Sequence, residues 1–131
     1  MATIKKEIFE RLNISLAYLY GSYARKDDLS TSDVDIALVP GKKLNPAERF
    51  DLKVKACQLL SGVFKREVDP VVLDEFCPVL LKFNVLNEGC LVYAKSEDER
   101  IDFEVKALGE YHDFLPTIEF FNEATAAHYK E

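Results

Sequence analysis

Two short strand-like segments follow one another near the start of the chain, with no helix-length apolar segment between them. Residues 15–20 form an unbroken apolar run, and residues 33–38 alternate between polar and apolar side chains, which is typical of a strand. The intervening residues 23–32 are polar and are predicted to be mostly loop. Neighbouring parallel strands need a long crossover connection, usually a helix. The direct succession of two strands therefore argues against a purely parallel sheet.

The rest of the chain alternates between helical and strand-like patterns. Helices are predicted over residues 3–13, 45–61, 78–87, 96–111 and 117–128, and strands over residues 68–73 and 90–94. Gly62 is the predicted end of the second helix, and Pro116 is predicted to break or kink the last one. Pro70 weakens the strand prediction over 68–73 because proline has no backbone N–H to donate. The expected fold is an α/β (α+β) domain with a small mixed β-sheet flanked by helices.

Size and charge narrow the functional classes. The chain has 131 residues, of which 48% are hydrophobic, and this fits a single domain over residues 1–131. Its 17 basic and 23 acidic residues give a net charge of −6, so we expect no direct binding of nucleic acid. No apolar run reaches the roughly 18 residues of a membrane span, and the N-terminus lacks the apolar region of a signal peptide. A cytoplasmic protein without a membrane partner is the expectation, and its three cysteines are expected to be buried or partly buried reduced thiols.

The segment most informative about chemistry joins Gly21-Ser22 to Asp33 and Asp35. A strand that ends in Gly-Ser exposes backbone N–H groups at a tight turn, where phosphate oxygens can bind. Asp33 and Asp35 lie two residues apart on a strand, so their side chains share a face with Cα atoms about 6.5–7 Å apart. Two carboxylates so close repel each other unless a cation lies between them, and Mg²⁺ prefers such oxygen ligands. This pattern predicts a site for a metal and a nucleotide.

A third carboxylate, Asp69, interrupts the apolar strand predicted over residues 68–73 and is the best candidate to complete the site. Asp74 and Glu75 lie beyond that apolar run and are interpreted as ordinary loop charges. Each feature taken alone has a simpler explanation, such as a turn, an exposed acidic face or an ion pair. Their order and spacing together favour the metal–nucleotide site.

The Gly-Ser pair, ten intervening residues, Asp33-Val34-Asp35-Ile36 and the later Asp69 resemble the nucleotidyltransferase superfamily of DNA polymerase beta. The wider segment over residues 21–40 is similar to the minimal nucleotidyltransferases of bacteria and archaea. The resemblance covers nearly the whole chain, including the strand predicted over residues 90–94. Pro70 departs from it, because an ordinary apolar residue usually follows the third acid.

The resemblance implies roles for the matching residues. Gly21 and Ser22 would hold the triphosphate of ATP, while Asp33, Asp35 and Asp69 would bind two Mg²⁺ ions. Asp69 would also help to activate the attacking hydroxyl group. Arg25 could help to neutralise the phosphates, although a solvated loop charge explains it equally well, and that explanation is favoured for Lys26.

The resemblance also implies a partner. Minimal nucleotidyltransferases are commonly paired with HEPN-domain ribonucleases as toxin–antitoxin systems, in which the antitoxin transfers AMP to a tyrosine of the toxin. His112 and His128 lack a preceding arginine at HEPN spacing, so this chain is not the ribonuclease. Two alternatives stay open: an antitoxin that neutralises its partner by binding alone, and an enzyme that modifies a small molecule, as in aminoglycoside nucleotidyl transfer. The second alternative usually requires an additional helical domain.

Overall fold

The computed structural model describes the backbone of residues 6–21 and 34–129, and side chains up to residue 116. Four helices and four strands lie within these ranges. The helices are α1 (Lys6–Arg11), α2 (Pro46–Phe64), α3 (Val79–Glu88) and α4 (Glu97–Tyr129), and the strands are β1 (Ile14–Tyr20), β2 (Val34–Pro40), β3 (Val68–Val72) and β4 (Cys90–Ala94). None of the described helices is both long enough and apolar enough to cross a membrane.

The four strands form one mixed sheet with the order β3-β2-β1-β4. β1 pairs antiparallel with β2 on one side and with β4 on the other. β2 and β3 are parallel, and α2 connects them. The predicted mixed sheet is confirmed, since the two consecutive strands are antiparallel and the parallel pair has its crossover helix.

Helices cover both faces of the sheet because both faces are apolar. On the first face, α1 and α2 pack on the strands, and the fully buried residues there include Phe9, Leu19, Ile36 and Leu60. On the second face, α3 and α4 enclose a smaller cluster, whose buried members are Leu16, Tyr18, Ala37, Leu73, Cys77 and Val85. Side chains alternate between faces along each strand, so the register decides which residues meet on the second face.

Helix α2 begins where the sequence predicts and ends later. Asn45 caps it: its side chain accepts from the Glu48 N–H at 2.8 Å, and the Glu48 carboxylate accepts from the Asn45 N–H at 3.1 Å. The predicted stop at Gly62 is wrong, because the helix continues to Phe64 and buries that side chain. Lys65 instead ends it in the left-handed conformation with φ 55°, and its N–H donates to the Ser61 carbonyl. Burial of one more apolar side chain outweighs the low helix propensity of glycine.

Pro70 lies within β3 without breaking it. The Leu73 N–H donates to the Leu38 carbonyl across the β2–β3 ladder, and donors alternate in direction along a strand. The Pro70 nitrogen, three residues earlier, therefore points away from β2. Because β3 is an edge strand, the missing donor at Pro70 costs no ladder hydrogen bond.

The predicted break at Pro116 is also wrong, because α4 is one continuous helix of 33 residues. Proline removes one helical N–H, which leaves the carbonyl of His112 without its usual donor. His112 is exposed, so water can bind that carbonyl. The Ser96 hydroxyl accepts from the Glu99 N–H at 3.2 Å, as expected of a residue that precedes the first turn of a helix.

The three cysteines are free thiols. Cys77 is buried and Cys57 is partly buried, in agreement with the sequence-based expectation. Cys90, at the start of edge strand β4, is exposed, so the expectation of burial is wrong there.

Candidate active site

Asp35 and Asp69 lie side by side at one end of the sheet. They are Cα partners in the parallel pairing of β2 with β3, and neighbouring strands lie about 4.8 Å apart. Partners in register project from the same face, here the second face. Asp35 is half-buried and Asp69 is exposed, so both carboxylates adjoin solvent at this edge of the fold. Two acids that are 34 positions apart in the sequence thus form one acidic pair.

Gly21 directly follows β1 and closely approaches this pair. Its φ is +75°, in the left-handed region that favours glycine. A Cβ added to Gly21 would lie 2.4 Å from Oδ2 and 3.3 Å from Cγ of Asp35. A side chain at this position would clash with the Asp35 carboxylate, so glycine is what lets the end of β1 approach the acid so closely.

Tyr20 is a further residue of the site that the sequence analysis did not identify. It is the Cα partner of Asp35 in the antiparallel β1–β2 pairing and packs at the margin of the second-face cluster. Burial, followed by the negative charges of Asp35 and Asp69, raises the pKa of Tyr20 to about 12. The phenol is therefore neutral near pH 7 and lies within the electric field of both acids. Its position immediately before Gly21 was the available signal, but the strand register was needed to interpret it.

Three predicted site residues, Ser22, Arg25 and Asp33, lie outside the residues that the structure describes, and so does the neighbouring Lys26. Within the described ranges, no three His, Cys, Asp or Glu side chains come close enough to hold a metal ion. The predicted set of three acids includes Asp33, which lies outside those ranges, so the statement does not apply to it. Asp35 and Asp69 supply two of the oxygen ligands that a hard divalent cation requires.

The acidic pair is chemically suited to a cation. Two carboxylates on adjacent strands repel each other, and a divalent cation between them would remove that repulsion. A phosphate oxygen is the natural additional ligand of such a cation. The geometry is therefore suited to binding a metal-bound phosphate ester.

Asp74 forms an ion pair, whereas the sequence predicted an ordinary loop charge. Both of its carboxylate oxygens accept from Arg49 on α2, at 2.7 and 3.1 Å, and Arg49 also donates to the Val72 carbonyl. The Asp74 side chain is only 13% exposed. Asp74 follows the carboxyl end of β3, whereas Asp69 lies near its amino end, so this ion pair anchors α2 at the end of the sheet away from the acidic pair.

Comparison with known families and proteins identifies the family of the chain. The family model for the polymerase beta nucleotidyltransferases matches residues 3–98. The chain is 30% identical over 98 residues to the protein adenylyltransferase MntA of Shewanella oneidensis, which covers 75% of this chain and 66% of that protein. It is also 34% identical over 89 residues to a Methanocaldococcus jannaschii protein that is provisionally named a protein adenylyltransferase, covering 66% of this chain and 90% of that one.

Solved structures show the same fold. A chain in the crystal structure of a toxin–antitoxin with AMP-PNP superposes with a TM-score of 0.68 at 23% identity, covering 93% of this chain and 99% of that one. A chain in the complex of a tri-AMPylated S. oneidensis HEPN toxin with its MNT antitoxin gives 0.63 at 23% identity, with 91% of each chain covered. The match of the family model to most of the chain shows that the protein belongs to the polymerase beta nucleotidyltransferase family.

Proposed function

We propose that the protein is an antitoxin that transfers AMP from ATP to a tyrosine hydroxyl of a HEPN-type ribonuclease toxin. Membership in the nucleotidyltransferase family gives the reaction class. The two curated relatives are both named as protein adenylyltransferases, which favours a protein acceptor. The chain spans 66% of the length of MntA. We therefore propose the activity of MntA for this chain.

The pairing of Asp35 with Asp69 beside Gly21 is the observation that carries the proposal. It joins the two sequence motifs at one end of the sheet, where a triphosphate can enter from solvent. We assign Asp35 and Asp69, together with Asp33, to the binding of two Mg²⁺ ions. Bound Mg²⁺ supplies charge neutralisation for the phosphates and polarises the α-phosphate toward attack.

The chain's own residues then hold the reactants. The backbone of Gly21 and the side chain of Ser22 bind triphosphate oxygens, and Arg25 neutralises part of their charge. Asp69 is exposed and can accept the proton of the incoming tyrosine hydroxyl. The hydroxyl oxygen forms a bond to the α-phosphorus as the bond to the bridging oxygen breaks, and pyrophosphate leaves. The catalytic contribution of the protein is mainly positioning.

The first experiment measures label transfer from α-³²P-ATP to a purified HEPN-type ribonuclease. The double variant Asp33→Ala with Asp35→Ala is expected to lose at least about 1,000-fold in rate, the equivalent of about 4 kcal/mol of lost charge stabilisation. Asp51→Asn is the matched control, because Asp51 is exposed on α2 and pairs only locally with Lys55. Full activity in the double variant would refute the assignment of the acids.

A second measurement tests the metal without relying on activity. Thermal unfolding of the wild-type chain is expected to shift upward when Mg²⁺ replaces EDTA, because the ion binds only the folded acidic pair. Asp69→Asn should lose most of that shift. Equal shifts in both proteins would exclude Asp69 as a ligand.

Co-expression distinguishes catalysis from neutralisation by binding alone. If the protein acts by AMP transfer, the double variant should fail to protect cells from the HEPN ribonuclease although it still folds. Equal protection by variant and wild type would favour neutralisation by binding. Label on a small aminoglycoside rather than on a protein tyrosine would favour the small-molecule alternative.

A further inference from the structure

Helix α4 is apolar on two opposite sides, and the fold uses only one of them. Its inner side packs on the second face of the sheet and on α3. There Ala107 is 3% exposed, Tyr111 stacks on Phe83 with ring centroids 3.7 Å apart, and the buried Lys82 Nζ lies 3.1 Å from Glu110. This inner side is therefore fully occupied by the protein's own core.

The other side carries an exposed row of aliphatic side chains. We call Ile101, Val105 and Leu108 the outer seam; they are 45%, 65% and 48% exposed. His112 and Leu115 continue the same row at the same spacing. At 100° per residue the three seam residues lie about 100–160° around the helix from the buried Ala107, and no described element of the chain covers them.

The spacing of the outer seam identifies what would cover it. Positions 101, 105, 108, 112 and 115 follow alternating steps of four and three residues, which is the heptad pattern of a helix that packs along another helix. An isolated exposed aliphatic residue needs no explanation. Three such residues along one side of a helix form a continuous apolar surface on which another helix can pack. The occupant is therefore an α-helix with its own apolar stripe, seated along α4.

Charge selects between a second copy and a different protein. The seam is flanked by the exposed acids Asp98 and Asp102, whereas Glu97 pairs with Arg100, and the chain carries a net charge of −6. A parallel pairing of two copies would bring Asp98 and Asp102 of both copies together, where like charges repel. A helix with basic residues beside its apolar stripe would instead neutralise them. The charge pattern disfavours self-association and favours a complementary partner.

We propose that the outer seam is the docking surface for a basic-flanked helix of the acceptor protein. The inference rests on the proposed function, because it identifies the occupant with the protein that receives AMP. The seam and the acidic pair lie on different sides of α4, since the inner side of α4 packs on the sheet face that carries Asp35. The docking surface and the active site are thus separate. The acceptor tyrosine must therefore lie on a segment of the acceptor that extends beyond α4 to the acidic pair.

The test compares two triple variants of the full chain. The seam variant carries Ile101→Ser, Val105→Ser and Leu108→Ser. The control carries Phe50→Ser, Val54→Ser and Leu80→Ser, which are 70%, 38% and 44% exposed on other helices. Affinity for the HEPN-type ribonuclease that serves as acceptor is measured by calorimetry. The seam variant should bind at least about 100-fold more weakly, and the control within about threefold of wild type.

Kinetics separate this proposal from the proposed function. The seam variant should raise KM for the acceptor protein while kcat at saturation stays near the wild-type value, because the acids are intact. Absence of AMP transfer by wild-type protein, with binding still lost in the seam variant, would overturn the function but not the docking surface. Unchanged affinity in the seam variant would overturn the docking surface. A dimer of the chain alone that the seam variant abolishes would also overturn it, in favour of a second copy.

Discussion

The substitution Gly21→Ala gives a sensitive test of the site, because it changes one methyl group at a position with two separate constraints. The first is the backbone, since φ is +75° and an L-residue with a Cβ pays about 1–2 kcal/mol in the left-handed region. The second is the contact at 2.4 Å between the new Cβ and Oδ2 of Asp35. Oδ2 is the end of a side chain, so the carboxylate can rotate away, and the folded state survives.

The expected result is therefore a modest loss of stability with a large loss of activity. Unfolding in urea should show a decrease of about 1–2 kcal/mol in the free energy of unfolding. AMP transfer should fall about 100-fold, because a catalytic group displaced by about 1 Å costs this much. Gly21→Asn separates the two constraints, since asparagine tolerates positive φ better but still carries a Cβ. It should recover stability without recovering activity.

Gly62→Ala is the matched control. A Cβ at Gly62 meets no atom within 4 Å, and the residue lies inside helix α2. Alanine there should raise the free energy of unfolding by about 0.5–1 kcal/mol and leave AMP transfer unchanged. Activity in Gly21→Ala within threefold of wild type would refute the reasoning, because it would show that AMP transfer does not depend on the position of the Asp35 carboxylate against Gly21.

Three further outcomes follow from contacts described above. Asp74→Ala should lower the free energy of unfolding by about 2 kcal/mol in urea titrations, because it leaves Arg49 without its partly buried carboxylate; a loss below about 0.5 kcal/mol would mean that Asp74 is a solvated loop charge. Burial and the hydrogen bond to Glu104 raise the pKa of Tyr18 above its usual value, so its contribution to stability is complete below about pH 10 and is lost at higher pH. Thermal melts between pH 9 and pH 12 should show a flatter decline in Tyr18→Phe, and equal slopes would contradict this. Gly109→Ala, on the exposed side of α4 with nothing within 4 Å of the added Cβ, should raise the melting temperature by a few degrees in thermal melts, and an unchanged melting temperature would contradict this.

Much of the fold could be predicted from local patterns. Asn45 and Glu48 identify the start of α2 because a capping box is a contact within four residues, and β4 was predicted with its observed limits. The predictions that failed concern residues whose local preference is outweighed by tertiary packing. Gly62 and Pro116 disfavour helix interiors, yet both lie inside helices, one of which gains the burial of Phe64 at its end.

The candidate site could be predicted only where the sequence encodes it directly. The spacing of Gly21 and Asp35 pointed to the metal–nucleotide site, and the acid within an apolar strand pointed to Asp69. Tyr20 was missed because its place beside Asp35 depends on the register of β1 with β2. The outer seam was missed because it depends on which side of α4 is buried. Asp74 was misread because its partner, Arg49, lies 25 residues away in the sequence.

The parallel pairing of β2 with β3 has a consequence for the order of folding. Asp35 and Asp69 become neighbours only after the intervening chain, including all of α2, has crossed the first face of the sheet. The antiparallel β1–β2 pair, which has no such crossover, closes a shorter loop and should form earlier. The acidic pair should thus form late, because the β2–β3 pairing closes the longer loop. Binding of metal and ATP should consequently slow unfolding far more than it speeds refolding, because the site is absent from the folding transition state.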